Sequence, residues 1–179
     1  ELPAALGTSV HPHPFDPRLA LWIASCGKEQ VMSARDLAVI CQKNGVVVIA
    51  RGEEGYPEPF AHYLEEEAPP VIFLMGDANL LRPAAGAVVG TRTPTPRGIA
   101  LARKCAGIVT GENAVVVSGG AQGVDTAAHD ETLARFGRTV IVLPEGILHY
   151  ATPSAWAEAM RNGEALLLSE VHPFQSWRT

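Results

Sequence analysis

An α/β fold with a mostly parallel sheet is predicted by three features of this 179-residue sequence. Short runs rich in β-branched residues alternate with segments of helical length and composition. The runs are continuously apolar rather than alternating, the pattern of strands buried on both faces and covered by helices. The 17 glycines and 14 prolines are spread between apolar runs and read as turns, not as a low-complexity tract. Apolar residues make up 47% and charged residues 18%, which excludes a disordered chain and suits one well-buried domain.

Residues 1–16 are rich in Pro and His, lack periodicity and read as a mobile lead-in. Two amphipathic helices are expected next, over Arg18–Cys26 and Ser33–Lys43. Ser33 with Asp36 makes a capping-box-like start for the second, and Asn44-Gly45 a stop. Residues 1–44 are thus expected to form a lead-in and helical stub, and residues 45–179 a three-layer Rossmann-like domain. Its strands are expected at Val46–Ala50, Val71–Met75, Ala87–Val89, Ala114–Val117, Thr139–Leu143 and Ala165–Leu168. Helical segments at Arg97–Thr110, Thr126–Phe136 and Ser154–Asn162 separate the later ones. Right-handed crossovers would bring the C-terminal ends of the parallel strands to one edge.

Several classes are excluded or disfavoured. No apolar stretch approaches the ~18–20 residues that span a bilayer, and no secretory signal opens the chain. A cytoplasmic protein without a membrane partner is expected. Starting at Glu1 suggests a trimmed piece. Cys26, Cys41 and Cys105 are widely spaced in apolar surroundings, so buried free thiols are expected, with no metal site. The net charge of −5 argues against coating nucleic acid by bulk electrostatics. Residues 1–80 carry five Lys/Arg against eleven Asp/Glu, and residues 81–179 nine against eight. A polyanion would therefore bind the second half.

Unusual residues gather where the strands end. One strand runs into Gly90-Thr91-Arg92, then Thr95, Arg97 and Gly98; the next runs into Ser118-Gly119-Gly120-Ala121-Gln122-Gly123-Val124-Asp125. The third ends at Pro144-Glu145-Gly146 and the last at Ser169-Glu170. Ligands of open α/β sheets bind outside the carboxyl ends of the strands. Glycines let backbone N–H groups approach an anion, each of the first two loops opens a helix, and Arg92 offers a bidentate fork. Two such pockets would hold successive phosphates of a strand, or one nucleotide.

The expected phosphate-binding set is therefore Gly90, Thr91, Arg92, Thr95, Arg97, Ser118, Gly119, Gly120, Gln122 and Gly123. Asp125, His129, Glu145, Gly146, Ser169 and Glu170 are expected to line the site. Asp125 sits where a helix cap would sit, and His129, four residues on, shares its face and is expected to order the loop or touch ligand. Trp156, Trp177, Tyr56 and Tyr150 are aromatic faces, for core packing or for stacking on bases. No catalytic residue and no cofactor is expected, and no Gly-x-Gly-x-x-Gly follows any strand.

Taken as a series, these residues resemble the DprA/Smf DNA-processing family. The resemblance rests on Tyr56-Pro57, Pro69-Pro70-Val71-Ile72-Phe73 with Gly76, Val88-Val89-Gly90-Thr91-Arg92, and Thr95 with Gly98. It continues through Val117 to Asp125 with Ala128-His129, Gly137-Arg138-Thr139 and Leu167-Leu168-Ser169-Glu170. It implies an extended Rossmann fold, sequence-independent binding of single-stranded DNA, handover to the RecA recombinase in natural transformation, a homodimer and no enzymatic activity. By position, Arg92 would contact DNA phosphate, with Ser118, Gly119, Gly120 and Gly123 forming a second phosphate loop. Gln122 stands where the family often has Lys or Arg, and Gly120 where Leu is usual. The family's Arg-Asn-rich stretch and winged-helix domain are expected to be lacking. The wider superfamily leaves a nucleotide-sensing domain as the alternative.

Overall fold

The computed structural model describes residues 28–177, with the side chains of residues 28–32 left aside. The elements run α1 (Lys28–Lys43), β1 (Val47–Ala50), α2 (Glu58–Leu64), β2 (Val71–Gly76), β3 (Ala85–Ala87) and α3 (Pro96–Gly111). There follow β4 (Val115–Gly119), α4 (Val124–Ala134), β5 (Thr139–Leu143), α5 (Ser154–Arg161) and β6 (Ala165–Ser169). Short 3-10 turns lie at Glu65–Glu67 and Ala78–Leu81.

The six strands form one sheet in the order β1-β2-β6-β5-β4-β3. Strands β3 to β6 are mutually parallel, while β2 runs antiparallel to both β6 and β1. The continuous hydrophobicity has the predicted cause: every residue of β6 is buried, as are four of the five in β5. The edge strands β1 and β3 are largely exposed.

Because β3, β4, β5 and β6 step across the sheet in one direction, their right-handed crossovers place α3, α4 and α5 on the same face. Ala102, Ala106 and Ala128 of α3 and α4 pack there with Val116, as Trp156 and Ala159 of α5 pack with Ile141 and Leu167. Helix α1 adds Cys41 to that second cluster. The opposite face, with Val115, Val140, Leu166, Leu168, Ile72 and Leu74, is covered by Tyr56, by Phe60 of α2 and by Leu80 and Leu81 of the second 3-10 turn.

The boundaries differ from expectation in instructive places. The expected helix at Arg18–Cys26 lies outside the described residues. Helix α1 begins at Lys28, so Ser33 is interior and no cap; Lys28-Glu29-Gln30 are strong helix formers and carry the helix back past the serine. Strand β3 occupies Ala85–Ala87 rather than Ala87–Val89. The Val88-Val89 pair suggested the later register, yet Val89 is 71% exposed and has already left the sheet. The short α2 was not expected: with one turn of apolar residues behind Pro57, it has too little period to announce itself. Cys41 is buried and Cys105 only half-buried; both are free. Among the described residues no helix is long and apolar enough to cross a membrane.

Candidate nucleic-acid interface

The four loops at the carboxyl edge of β3, β4, β5 and β6 are joined one to the next. Between the first two, the Thr91 carbonyl accepts a hydrogen bond from the Val124 amide at 3.2 Å. Gly123, the N-cap of α4, has φ +98°, and a Cβ there would lie 2.5 Å from the Thr91 oxygen and 2.8 Å from that of Arg92. Glycine is therefore required both by its conformation and by the closeness of the neighbouring chain. Gly90 meets α4 as closely, against the Val124 side chain.

Between the second and third loops, Tyr150 donates its hydroxyl to the Gly120 carbonyl at 3.0 Å, with its ring against the glycine. Burial, with Glu145 adding to it, raises the Tyr150 pKa, so the phenol remains a donor. Between the third and fourth, Ser169 donates its hydroxyl to the Glu145 carbonyl at 2.8 Å. The chain after β6 then turns back along the edge. Gly146 donates its amide to the Gln175 carbonyl at 2.8 Å, and its Cα packs on the His172 and Pro173 carbonyls with no room for a Cβ. Two residues beyond Gln175, the Trp177 ring lies under the Arg92 guanidinium, 5.3 Å from its carbon.

Within this rim the anticipated residues divide by what they touch. Arg92, Arg97 and Gln122 are exposed. Thr95 caps α3, accepting from the Gly98 amide at 3.2 Å, and Thr91 Oγ1 accepts from the Thr93 amide. Ser118 was expected to offer a hydroxyl to phosphate. Its side chain is instead buried and donates to the Val88 carbonyl at 2.5 Å, which pins the β3 exit to β4. Ser169 is buried and committed in the same way. Glu145 is hydrogen-bonded to His149 at 2.6 Å, and Glu170 is exposed beyond β6.

His129 is fully buried, with Nε2 3.0 Å from the Gly119 carbonyl and Nδ1 2.7 Å from Thr139 Oγ1. Burial is the main influence on this imidazole and lowers its pKa, against smaller opposing effects of Gly119, Asp125 and Asp130. The Gly119 carbonyl can only accept, so the neutral ring donates to it from Nε2, while Nδ1 faces the Thr139 hydroxyl, which also lies 2.8 Å from the Val116 carbonyl as its donor. His129 thus anchors the glycine loop rather than facing ligand. Asp125 stands beside it with Oδ2 near Gly119, while its buried Oδ1 has no hydrogen-bond partner.

A pH dependence follows from His129. With its folded pKa below the unfolded ~6.5, the unfolded chain binds the extra proton more readily. Its stabilising contribution is complete above pH ~6.5 and is lost as pH falls from there toward the folded pKa, at up to about 1.4 kcal/mol per pH unit. Melting followed by circular dichroism between pH 7.5 and 5 should show the fall in wild type and a shallower one in His129→Gln. Parallel profiles would contradict a neutral buried imidazole.

Trp156 is core: it is 1% exposed, donates Nε1–H to Asp130 at 3.0 Å and stands edge-on to His129. Tyr56 donates to the Pro69 carbonyl and packs on Phe60. The structural parts of Tyr150 and Trp177 were not legible, since both lie in aperiodic stretches where only their aromatic faces stood out.

The parallel strands of this α/β domain thus deliver a glycine-lined, arginine-bearing rim at their carboxyl ends, the edge at which open α/β sheets bind their ligands. Residues 47–179 match the family of DNA recombination-mediator protein A, and the chain belongs to that family. It is 34% identical over 110 residues to the DNA processing protein DprA of Streptococcus pneumoniae, covering 60% of this chain and 38% of that one. It is likewise 34% identical over 108 residues to the protein Smf of Synechocystis, covering 57% and 27%. The chain spans about a third of the length of the curated relatives it matches.

Among solved structures, the X-ray structure of the pneumococcal protein superposes with a TM-score of 0.61 at 28% identity, covering 86% of this chain and 56% of that one. DNA processing protein A of Helicobacter pylori, whose structure describes a single-stranded DNA binding mode, gives 0.60 at 28%, covering 75% and 59%.

Proposed function

We propose that this chain binds single-stranded DNA along the rim and serves recombination as a mediator rather than an enzyme. The observation that carries the reading is the direct joint between the β3 and β4 loops, Thr91–Arg92 against Gly123–Val124. It sets Arg92 and the start of α4 side by side, so that neighbouring phosphates would meet a guanidinium and a helix N-terminus. Gly90, Thr91, Arg97, Gly119, Gly120 and Gln122 extend the same surface. The phosphates would be met by backbone and arginine, not by Ser118. Asp125, His129, Glu145, Gly146 and Ser169 hold the loops in place, and Glu170 flanks them. Handover to RecA, a homodimer, a cytoplasmic setting and a Rossmann-like unit from residue 45 onward belong to the same proposal.

Arg92→Ala should weaken binding of a fluorescein-labelled oligo-dT, read by anisotropy at two salt concentrations. Removing one phosphate-neutralising cation lowers the slope of log K against log salt by about 0.7 for a single strand. Equal affinity of mutant and parent at low salt would refute the role of Arg92.

A second reading, capture of a single nucleotide, is favoured by Asp125. Its buried, unpartnered Oδ1 is an acceptor that a base amino group or a sugar hydroxyl would satisfy. A thermal-shift titration separates the two: stabilisation by free nucleotides and none by oligonucleotides would select the nucleotide.

A further inference from the structure

We infer that the segment following β6 supplies the base-stacking face of the rim, with Trp177 taking the nucleobase next to the phosphate held by Arg92. The inference rests on the single-stranded DNA reading above. Three observations carry it. The segment is tied to the β5 loop by two backbone hydrogen bonds, Gly146 to the Gln175 carbonyl and Leu148 to the Pro173 carbonyl, so Trp177 is delivered to a set place. The Arg92 guanidinium lies over its ring, 5.3 Å from the centroid. The residue nonetheless stays 43% exposed, a large apolar surface left uncovered beside a cation.

The chemistry of that pairing suits a nucleotide. A guanidinium stacked on an aromatic ring keeps its edge N–H groups free for phosphate oxygens. The exposed part of the ring is a π surface that any base can lie on, which gives affinity without sequence preference. Phosphate and base of one nucleotide would then be held by two side chains already in contact. Trp156 cannot serve in this way, since its ring is enclosed between α5 and the sheet.

The test compares oligo-dT with an abasic phosphodiester strand of equal length, which keeps the charges and removes the bases. Wild type should prefer oligo-dT by about tenfold, the scale of stacking one base on an aromatic side chain. Trp177→Ala should abolish that preference by losing affinity for oligo-dT, and Trp177→Phe should keep most of it. Arg92→Ala should weaken both strands together and leave a preference.

Two results would overturn the inference while leaving DNA binding intact. One is a Trp177→Ala protein that still prefers oligo-dT as strongly as wild type. The other is a mutant that loses equal affinity for both strands, which would make Trp177 only a rest for Arg92. Failure of wild type to bind either strand would remove the DNA reading and this inference with it.

Discussion

Trp156→Ala should cost about 3–5 kcal/mol of folding stability, the range for deleting a fully buried large aromatic. The residue is 1% exposed in the cluster that joins α5, α1 and the centre of the sheet, so the cavity would be closed on every side. The loss also strips the Asp130 carboxylate of its indole donor at 3.0 Å and removes the ring that stands edge-on to His129. Urea unfolding should show a lower midpoint with an unchanged slope, the signature of lost stability at constant exposed area. Trp156→Phe, which keeps most of the volume, should lose much less. Equal losses in the two variants would mean that the indole hydrogen bond, not the packing, dominates at this position.

Trp156 is linked to the rim through a short chain of contacts. Trp156 backs His129, His129 holds the Gly119 carbonyl, and Gly119 ends β4 where the glycine loop begins. The core and the candidate site are therefore one mechanical unit here. Among the described residues Ser118, Asp125 and Ser169 are buried at the carboxyl edge with His129 behind them, while Thr132 and Thr139 are buried toward the opposite end, where Thr139 opens β5.

Much of this was legible in the sequence because two local rules pointed the same way. Continuous apolar runs at β4, β5 and β6, β-branched in the first two, read as strands covered on both faces, and parallel strands put their ends together. The glycines of the β4 loop also stood out, Gly123 being needed for close approach of backbone to backbone, and Gly119 and Gly120 for the side chains of Asp125, Leu143 and Tyr150. What stayed hidden depended on partners distant along the chain. Ser118 carries the same hydroxyl whether it meets a phosphate or the Val88 carbonyl thirty residues away, and composition cannot tell these apart. The contact of Trp177 with Arg92 joins residues on opposite sides of three strands in sequence, through an aperiodic segment that announces no element. β3 was misplaced because small residues, Ala85-Gly86-Ala87, make a strand by pairing with β4 rather than by their own propensity.

Gly123→Ala should reduce oligonucleotide binding by more than about tenfold while the sheet stays folded. The residue adopts φ +98° and ψ −121°, a conformation that costs an L-residue roughly 1–3 kcal/mol. The steric effect is the larger one, because the new methyl would meet two backbone oxygens, of Thr91 and Arg92, and no side chain can swing aside. Relief requires the β3 loop to move off α4, which breaks the bond from the Val124 amide to Thr91 and carries Arg92 away from the helix N-terminus.

Gly45→Ala is the matched control. It has φ +70° but open space around the added methyl, and it lies between α1 and β1, away from the rim. It should lower the melting temperature by a few degrees, consistent with a cost of about 1 kcal/mol, and leave binding unchanged. If Gly123→Ala binds oligo-dT as tightly as Gly45→Ala does, the joint between the two loops has no part in holding the strand. Equal weakening in both variants would trace the loss to general destabilisation. Selective loss at Gly123 ties the geometry of one glycine to the placement of one arginine.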